Sequence, residues 1–348
     1  MGIQDGQHSL RFSLWIDGRT TQGLPVTATT YRELIEEVTF AEQLGFDGVW
    51  DTEHHGFADG YLPAPFTFLA YLAARTQKMR LGTNIVLLPL WPIRLLAEEA
   101  AVLDVLSGGR FTLGVGLGYV QHEFAAFGVD RKQRKERIEK GMQYLRAAFK
   151  GETLPDGHEG AGLPVTPRPM YGERFPIYMG GSSEVALDRI ARLADGFLAA
   201  VNSNPGEELA KQWAILRPRL EQYGRTTDSF PIVASTHLWI SDDPERDWTT
   251  MLAPALAYQA DVYARMGTDA GQPRPTPTDP RKFPRQGLLI GTPDSVIKQI
   301  QELQKSVPLT EICFWSHVPG IPHDAVMAHL ERVARYIFPA FKNVPATT

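Results

Sequence analysis

The chain reads as an α/β protein, a (β/α)8 TIM barrel, on three observations. Short β-like runs alternate with longer amphipathic segments along the whole length, eight such pairs can be placed, and ionisable or glycine-rich residues collect where strands end. Arg11–Ile16 reads as the first strand, and the helix from about Thr30 to Leu44 stops at Gly45, where a left-handed C-terminal glycine belongs. Phe46–Trp50 is the second strand, with a helix over Pro63–Ala74. Arg80–Leu87 is the third, with a helix from Ile93 to Leu106 ending at Gly108-Gly109. Phe111–Gly118 is the fourth, followed by a loop and a helix over Gln133–Phe149. Pro176–Met179 with Ser183–Leu193, and Gly196–Val201 with Glu207–Tyr223, supply the fifth and sixth pairs. Pro231–Ile240 is the seventh strand, followed by helical stretches over Pro244–Arg265 and Thr292–Gln304. Leu309–Trp315 and Asp324–Tyr336 close the ring. No composition break marks a second domain, so residues 1–348 are read as one barrel.

Composition narrows the classes. With 348 residues and 43% hydrophobic content there is ample core; a net charge of −5 gives no nucleic-acid footprint. One cysteine, Cys313, excludes an internal disulfide and a cysteine-based zinc site, and its place in a strand-like run makes it a small buried hydrophobe. Met1–Leu10 is polar, and no apolar run nears the ~20 residues of a membrane helix, so no membrane span and a cytoplasmic location are expected. Two segments break the repeat. Gly151–Glu173 is rich in Gly and Pro, and Gly267–Gln286, an insertion loop after strand seven, is a lid candidate on the side where barrel active sites sit.

The chemistry-bearing residues lie at strand ends. Strand two runs into Asp51-Thr52-Glu53-His54-His55. His54 is the candidate acid/base group, with Glu53 able to hold an imidazole in one tautomer and His55 beside them. Neighbouring residues of an extended chain point apart, so His54 and His55 do not readily share a metal, and no His-x-His pair completes a ligand set. Gly114, Gly116 and Gly118 alternate with Val115 and Leu117, which puts the glycines on the barrel interior, where a flat ligand or tight packing would use the space. Gly180-Gly181-Ser182-Ser183 leads into a helix, a ready anion site and equally a plain N-cap. Thr292-Pro293 is a cap alone. Together these point to a phosphorylated planar redox cofactor. Phe12, Trp15, Phe57, Tyr61 and Trp91 suggest an apolar mouth for a small-molecule substrate.

Taken in order, Asp51–Gly56, Leu81–Pro89, Leu103–Phe111, Gly114–Tyr119 with Glu123-Phe124, Gly180–Ser183 and Ala194–Gly196 resemble the bacterial luciferase-like monooxygenase family over nearly the whole barrel. The resemblance implies reduced FMN, or alternatively the deazaflavin F420, bound over the strand ends. In the FMN branch the cofactor meets O2, forms a C4a-peroxy adduct and oxygenates a substrate, with a separate flavin reductase supplying it. It further implies base chemistry at His54, a cis peptide at Thr83–Asn84 under the ring, cofactor contacts from Gly116 and Tyr119, a mobile lid after strand seven and a homodimer. Light-emitting members carry a cysteine at the position of Gly116 and a phosphate-binding arginine at that of Leu117, so light emission is not expected and the phosphate needs another cation. Hydride transfer through F420 and non-catalytic flavin binding are the alternatives on the same scaffold.

Overall fold

Strand β1, Arg11–Ile16, shows how the barrel is assembled. Side chains alternate across a strand. Ser13 and Trp15 face inward, where the Ser13 hydroxyl donates to Glu311 at 2.6 Å and Trp15 stacks on Trp315 at 4.0 Å. Phe12 faces outward against Phe338 and Phe341. In this computed structural model, which describes residues 9–21, 24–153, 163–201, 204–269, 279–285 and 288–342, the same alternation serves eight strands. They are β1, β2 Gly48–Asp51, β3 Arg80–Thr83 (continued by Val86–Leu87), β4 Phe111–Gly116, β5 Ile177–Gly180, β6 Gly196–Ala200, β7 Ile232–Thr236 and β8 Glu311–Trp315. Each pairs in parallel with the next, and β8 returns to β1, so the sheet closes.

Outer helices follow the strands: α1 Ala28–Leu44, α2 Pro65–Arg75, α3 Ile93–Ser107, α4 Arg134–Lys150, α5 Glu184–Leu193, α6 Pro205–Gln222, α7 Ala253–Asp269, α8 Pro293–Ser306 and α9 His323–Arg332. Their ends obey local chemistry. Thr27 and Thr30 form a capping box at the start of α1, and Gly45 closes it at φ +92°, a left-handed conformation that glycine adopts without a Cβ clash. Thr292 caps α8 with Pro293 in the first turn.

The barrel floor is a buried ion cluster. Glu311 accepts from Ser13, from Trp50 Nε1 at 2.7 Å, from Arg80 and from Arg11. Burial works against its charge, but Arg80 and Arg11 outweigh that and hold its carboxyl down at about 2. Above the floor, Cys313 is buried with its thiol donating to the Leu14 carbonyl, and burial pushes its pKa well up, an inert position.

Three expectations need correction. The third strand breaks after Thr83, with a cis peptide at Asn84–Ile85 and not at Thr83–Asn84. The seventh strand splits, and Leu238–Ile240 leaves the barrel to pair with Leu289–Gly291. Apolar residues resume beyond each break, at Ile85–Leu88 and Leu238–Ile240, and so conceal it. The helical stretch expected from Pro244 is continuous, running through Pro244–Asp247, a wide helical turn Trp248–Leu252, and α7. A short helix, Gln121–Ala126, stands where a loop was expected. The core of the expected lid segment lies outside the described residues, as does the middle of the loop after α4. No helix among the described residues is long and apolar enough to cross a membrane.

Candidate active site

The run after β2 delivers His54 and His55 in opposite senses, as extended backbone requires. His54 is buried among the rings of Tyr61, Phe57 and Tyr119, at 4.6, 5.6 and 6.0 Å. Its Nδ1 lies 2.8 Å from Glu123 Oε1, which also accepts the His55 backbone N–H at 2.9 Å. Glu123 is fully buried on the short helix Gln121–Ala126. An ionised carboxylate only accepts, so Nδ1 carries the proton and Nε2 keeps its lone pair for chemistry.

His55 turns the other way, against Phe127 at 4.6 Å, with Nε2 2.9 Å from Glu53. The Glu53 carboxylate also accepts from the Leu87 N–H at 2.6 Å and from Trp91 Nε1 at 3.0 Å. Glu53 thus holds an imidazole, as expected of it, but that of His55, while both its oxygens also pin the turn after β3. Asp51 sits behind them with neither carboxylate oxygen hydrogen-bonded. Burial, reinforced by Glu53, raises its pKa well above the usual carboxylate range.

The glycines of β4 prove to serve packing. A Cβ on Gly114 would lie 1.8 Å from the Thr83 carbonyl oxygen, and one on Gly116 would lie 2.0 Å from Ile85 Cδ1. Of the two uses the sequence allowed, a flat ligand or tight packing, packing takes the space at these two glycines, through the β3 backbone and the Ile85 side chain. Thr83 is likewise engaged, its hydroxyl donating to the Gly114 carbonyl at 2.8 Å and accepting the Gly114 N–H at 2.9 Å. Asn84 reaches across the barrel to Ser235 Oγ at 2.7 Å, while its carbonyl accepts from Trp15 Nε1. Of the aromatic residues expected at the mouth, Phe57, Tyr61 and Trp15 are there. Phe12 lies outside the strands, and Trp91 packs on Phe66 behind Glu53.

On the opposite rim, Gly181, Ser182 and Ser183 are exposed, and Ser183 caps α5 by accepting the Ala186 N–H. Two guanidiniums stand at the end of β4, beside Leu117, both on α4 or the turn leading into it. Arg131 donates to the Tyr119 carbonyl and Arg134 to the Gly118 carbonyl at 3.0 Å. Burial, then the adjacent Arg131, lowers the pKa of Arg134. An anion would relieve this pairing, and the two guanidiniums have the charge and hydrogen-bond donors that a cofactor phosphate requires. They escaped sequence reading because a mixed charged run resembles an ordinary solvated helix face.

Helix α7 lies over the remaining mouth. The Tyr263 and Tyr61 hydroxyls meet at 2.8 Å, Tyr258 donates to Asp59, Tyr119 donates to Met266 Sδ, and Gln259 meets His237 at 2.8 Å. Beneath it Arg19, fully buried, pairs with Asp17 at 2.6 Å and lies over Tyr61, Tyr263 and Trp315 at 4.8, 5.4 and 5.9 Å. Burial opposes its charge, but Asp17 and the tyrosines more than restore it. No cluster of three metal-binding side chains occurs among the described residues.

A closed parallel barrel with a histidine–carboxylate pair and an anion-ready rim at its C-terminal face is the architecture of a (β/α)8-barrel enzyme. Residues 10–309 match the luciferase-like monooxygenase family, and the chain belongs to it, a family of oxidoreductases. It is 26% identical over 331 residues to 4-hydroxyprotoasukamycin monooxygenase of Streptomyces nodosus subsp. asukaensis, covering 89% of this chain and 86% of that protein. The oxygenase component of the flavin-dependent trigonelline monooxygenase of Acinetobacter baylyi is 24% identical, with 96% of each chain covered. In fold it resembles the oxygenating constituent of 3,6-diketocamphane monooxygenase of Pseudomonas putida, solved with FMN (TM-score 0.78, 17% identity, 95% and 98% covered). It also resembles the F420-dependent tetrahydromethanopterin reductase of Methanopyrus kandleri (TM-score 0.69, 19% identity, 97% and 100% covered). Proteins similar to this chain in sequence thus include both flavin-dependent and F420-dependent enzymes.

Proposed function

We propose that this protein is the oxygenating component of a two-component flavin-dependent monooxygenase. It takes reduced FMN from a separate reductase and uses O2 to oxygenate a small organic substrate. The observation that carries the reading is the His54–Glu123 pair, buried at the rim with one imidazole nitrogen free and an aromatic enclosure around it. When bound, reduced flavin supplies the electrons and activates oxygen. Gly180, Gly181, Ser182 and Ser183, with Arg131 and Arg134, would hold its phosphate, and Asn84 and Tyr119 would border its ring.

The chain's own residues then have defined tasks. His54 Nε2 takes a proton from the reacting system and returns it, while Glu123 fixes the tautomer and offsets the charge that the ring gains. Glu53 and His55 are positioning residues that hold the turn carrying Asn84. Helix α7 keeps water from the mouth. The protein is further proposed to act in the cytoplasm as a homodimer.

A second reading, hydride transfer with F420, draws on the exposure of Gly181–Val185, which leaves open space beyond the phosphate site for a longer cofactor tail. Anaerobic titration with reduced FMN and, separately, with reduced F420 decides between them. Tight binding of FMN, followed by O2-dependent turnover of a substrate, is expected. Binding of F420 alone would overturn the oxygenase reading.

A further inference from the structure

The turn that carries His54 has little ladder of its own. Past β2 the chain leaves the sheet, and the His54 N–H donates to the Leu62 carbonyl at 3.2 Å. One residue on, both backbone groups of His55 are met by side chains. Its N–H donates to Glu123 Oε1 at 2.9 Å, and its carbonyl accepts from His122 Nε2, also at 2.9 Å. Both partners come from the short helix Gln121–Ala126. Neighbouring helical side chains diverge by about 100°, so one reaches the N–H and the other the carbonyl, as a facing strand would.

His122 also covers the turn. A Cβ on Gly56, at φ +75°, would lie 3.6 Å from its ring, and Phe57 stands edge-on to it at 5.0 Å and to His54 at 5.6 Å. A carbonyl only accepts, so His122 carries a proton on Nε2 in either charge state. The helix in turn needs this contact. Its six residues have no side-chain cap at Val120 and are too few to be stable by their own hydrogen bonds. Phe124, buried with Leu87 and Leu90, anchors it to the core, and the two bonds to His55 tie it to the turn. We infer that His122 is a positioning residue: with Glu123 it grips the His55 backbone from both sides, and so fixes where the His54 imidazole stands.

The two helix residues have different tasks. Glu123 bonds His54 itself and sets its tautomer, whereas His122 acts through the backbone next to it. An acid/base group loses rate steeply when displaced by ~1 Å, because proton transfer requires hydrogen-bond reach. Removing the His122 donor frees the His55 carbonyl to turn, and His54 with it, while the carboxylate that partners the imidazole is untouched. The inference rests on His54 being the acid/base group of the activity proposed above.

The test compares two amides that differ by one methylene, in the flavin-free protein. In His122→Gln the amide nitrogen reaches about as far as the imidazole Nε2 and still donates to the His55 carbonyl; in His122→Asn it falls short. The two ring 15N signals of His54 are expected to stay widely separated in the unaltered protein and in His122→Gln, as one held tautomer gives. In His122→Asn they should draw together as the tautomers mix. Exchange of the His55 amide proton should quicken ~5-fold in His122→Asn, the scale of one lost hydrogen bond, and stay near the unaltered rate in His122→Gln. Should His122→Asn fail to fold, His122→Phe, which keeps a ring against Gly56 and Phe57 but cannot donate, takes its place. In the unaltered protein the His122 ring signals must themselves show the proton on Nε2. A bare Nε2 there, readouts alike in all three proteins, or equal disturbance by both amides would overturn the inference. A parallel reduced-FMN titration separates the two claims. Readouts that follow the reach of residue 122 without FMN binding sink the oxygenase reading alone, and FMN binding with readouts indifferent to that reach sinks this one alone.

Discussion

At the scale of single residues, the site turns on which carboxylate partners which histidine. The run Asp51–His55 was legible as a strand-end cluster, and His54 lies where that reading put it. Its partner was not legible, because Glu123 is 69 positions away and reaches His54 only once the barrel closes. The nearby Glu53 was the natural guess, yet it is bound by Leu87 and Trp91. A signal was present in Val120, Phe124 and Phe127, whose spacing marks a short helix with Glu123 on its buried side. His54→Ala is expected to lower turnover by ~10²-fold or more while leaving reduced-FMN affinity unchanged, the scale of a positioned acid/base group. Single-turnover rates and an anaerobic titration check this; undiminished turnover would remove His54 from the mechanism. Glu123→Gln should also slow turnover, because an amide can donate as well as accept and no longer imposes one tautomer.

At the scale of elements, strand and helix order were readable from periodicity, and the errors fall where chemistry interrupts it. β3 looked continuous because Ile85–Leu88 is apolar, but the strand breaks after Thr83, whose hydroxyl bonds both the carbonyl and the N–H of Gly114. The glycines of β4 were legible, but which of their two uses holds, a flat ligand or tight packing, was not, since which neighbour fills the space is a tertiary fact. At the α5 rim, Ser182→Ala with Ser183→Ala should weaken reduced-FMN affinity, and Arg134→Ala should weaken it further. The lost cap at Ser183 also costs about 1 kcal/mol of stability. Unaltered affinity in both variants would place the phosphate elsewhere. A different element contact governs pH. Glu37 of α1 accepts from His317 and His323 at 3.0 Å each, with Glu33, Glu36 and Asp17 close by. Burial opposes charge on Glu37 and His317, but their hydrogen bonds win, lowering Glu37 and raising His317; the Glu37 bond leads in raising His323. Raised histidines stabilise the fold fully below their ordinary 6.5, and that share fades as pH climbs through their higher folded values. Glu37→Gln should flatten the fall in melting temperature between pH 6 and about pH 9. A fall as steep as that of the unaltered protein would show that other groups set it.

At the scale of the whole molecule, the barrel buries its apolar strands thoroughly and yet leaves one outer face uncovered. On α3, Leu95, Val102, Val105 and Leu106 are 44%, 41%, 45% and 64% exposed, and Tyr71 of α2 is 52% exposed. Met170 joins them at 57%, tied to the same helix through its N–H to Asp104. Scattered exposed leucines need no explanation, but several on one helix with a neighbouring segment form a patch of the kind that marks an interface. Self-association covers such a patch most simply, because a twofold contact sets the same face against itself, and about 800 Å² per partner suffices for a stable pair. The homodimer proposed here would then bury α3 and leave the C-terminal mouth free, since the mouth lies at the strand ends and the patch on the outer ring. Replacing Leu106 and Val102 with glutamate puts two like charges at the centre of that contact in each protomer. Sedimentation should find a dimer for the unaltered protein and a monomer for Leu106→Glu with Val102→Glu, with reduced-FMN binding retained. A monomer in both, or a dimer indifferent to the charges, would refute α3 as the interface. Loss of FMN binding on dissociation would mean that the outer ring and the rim are energetically coupled, and that the site is complete only in the pair.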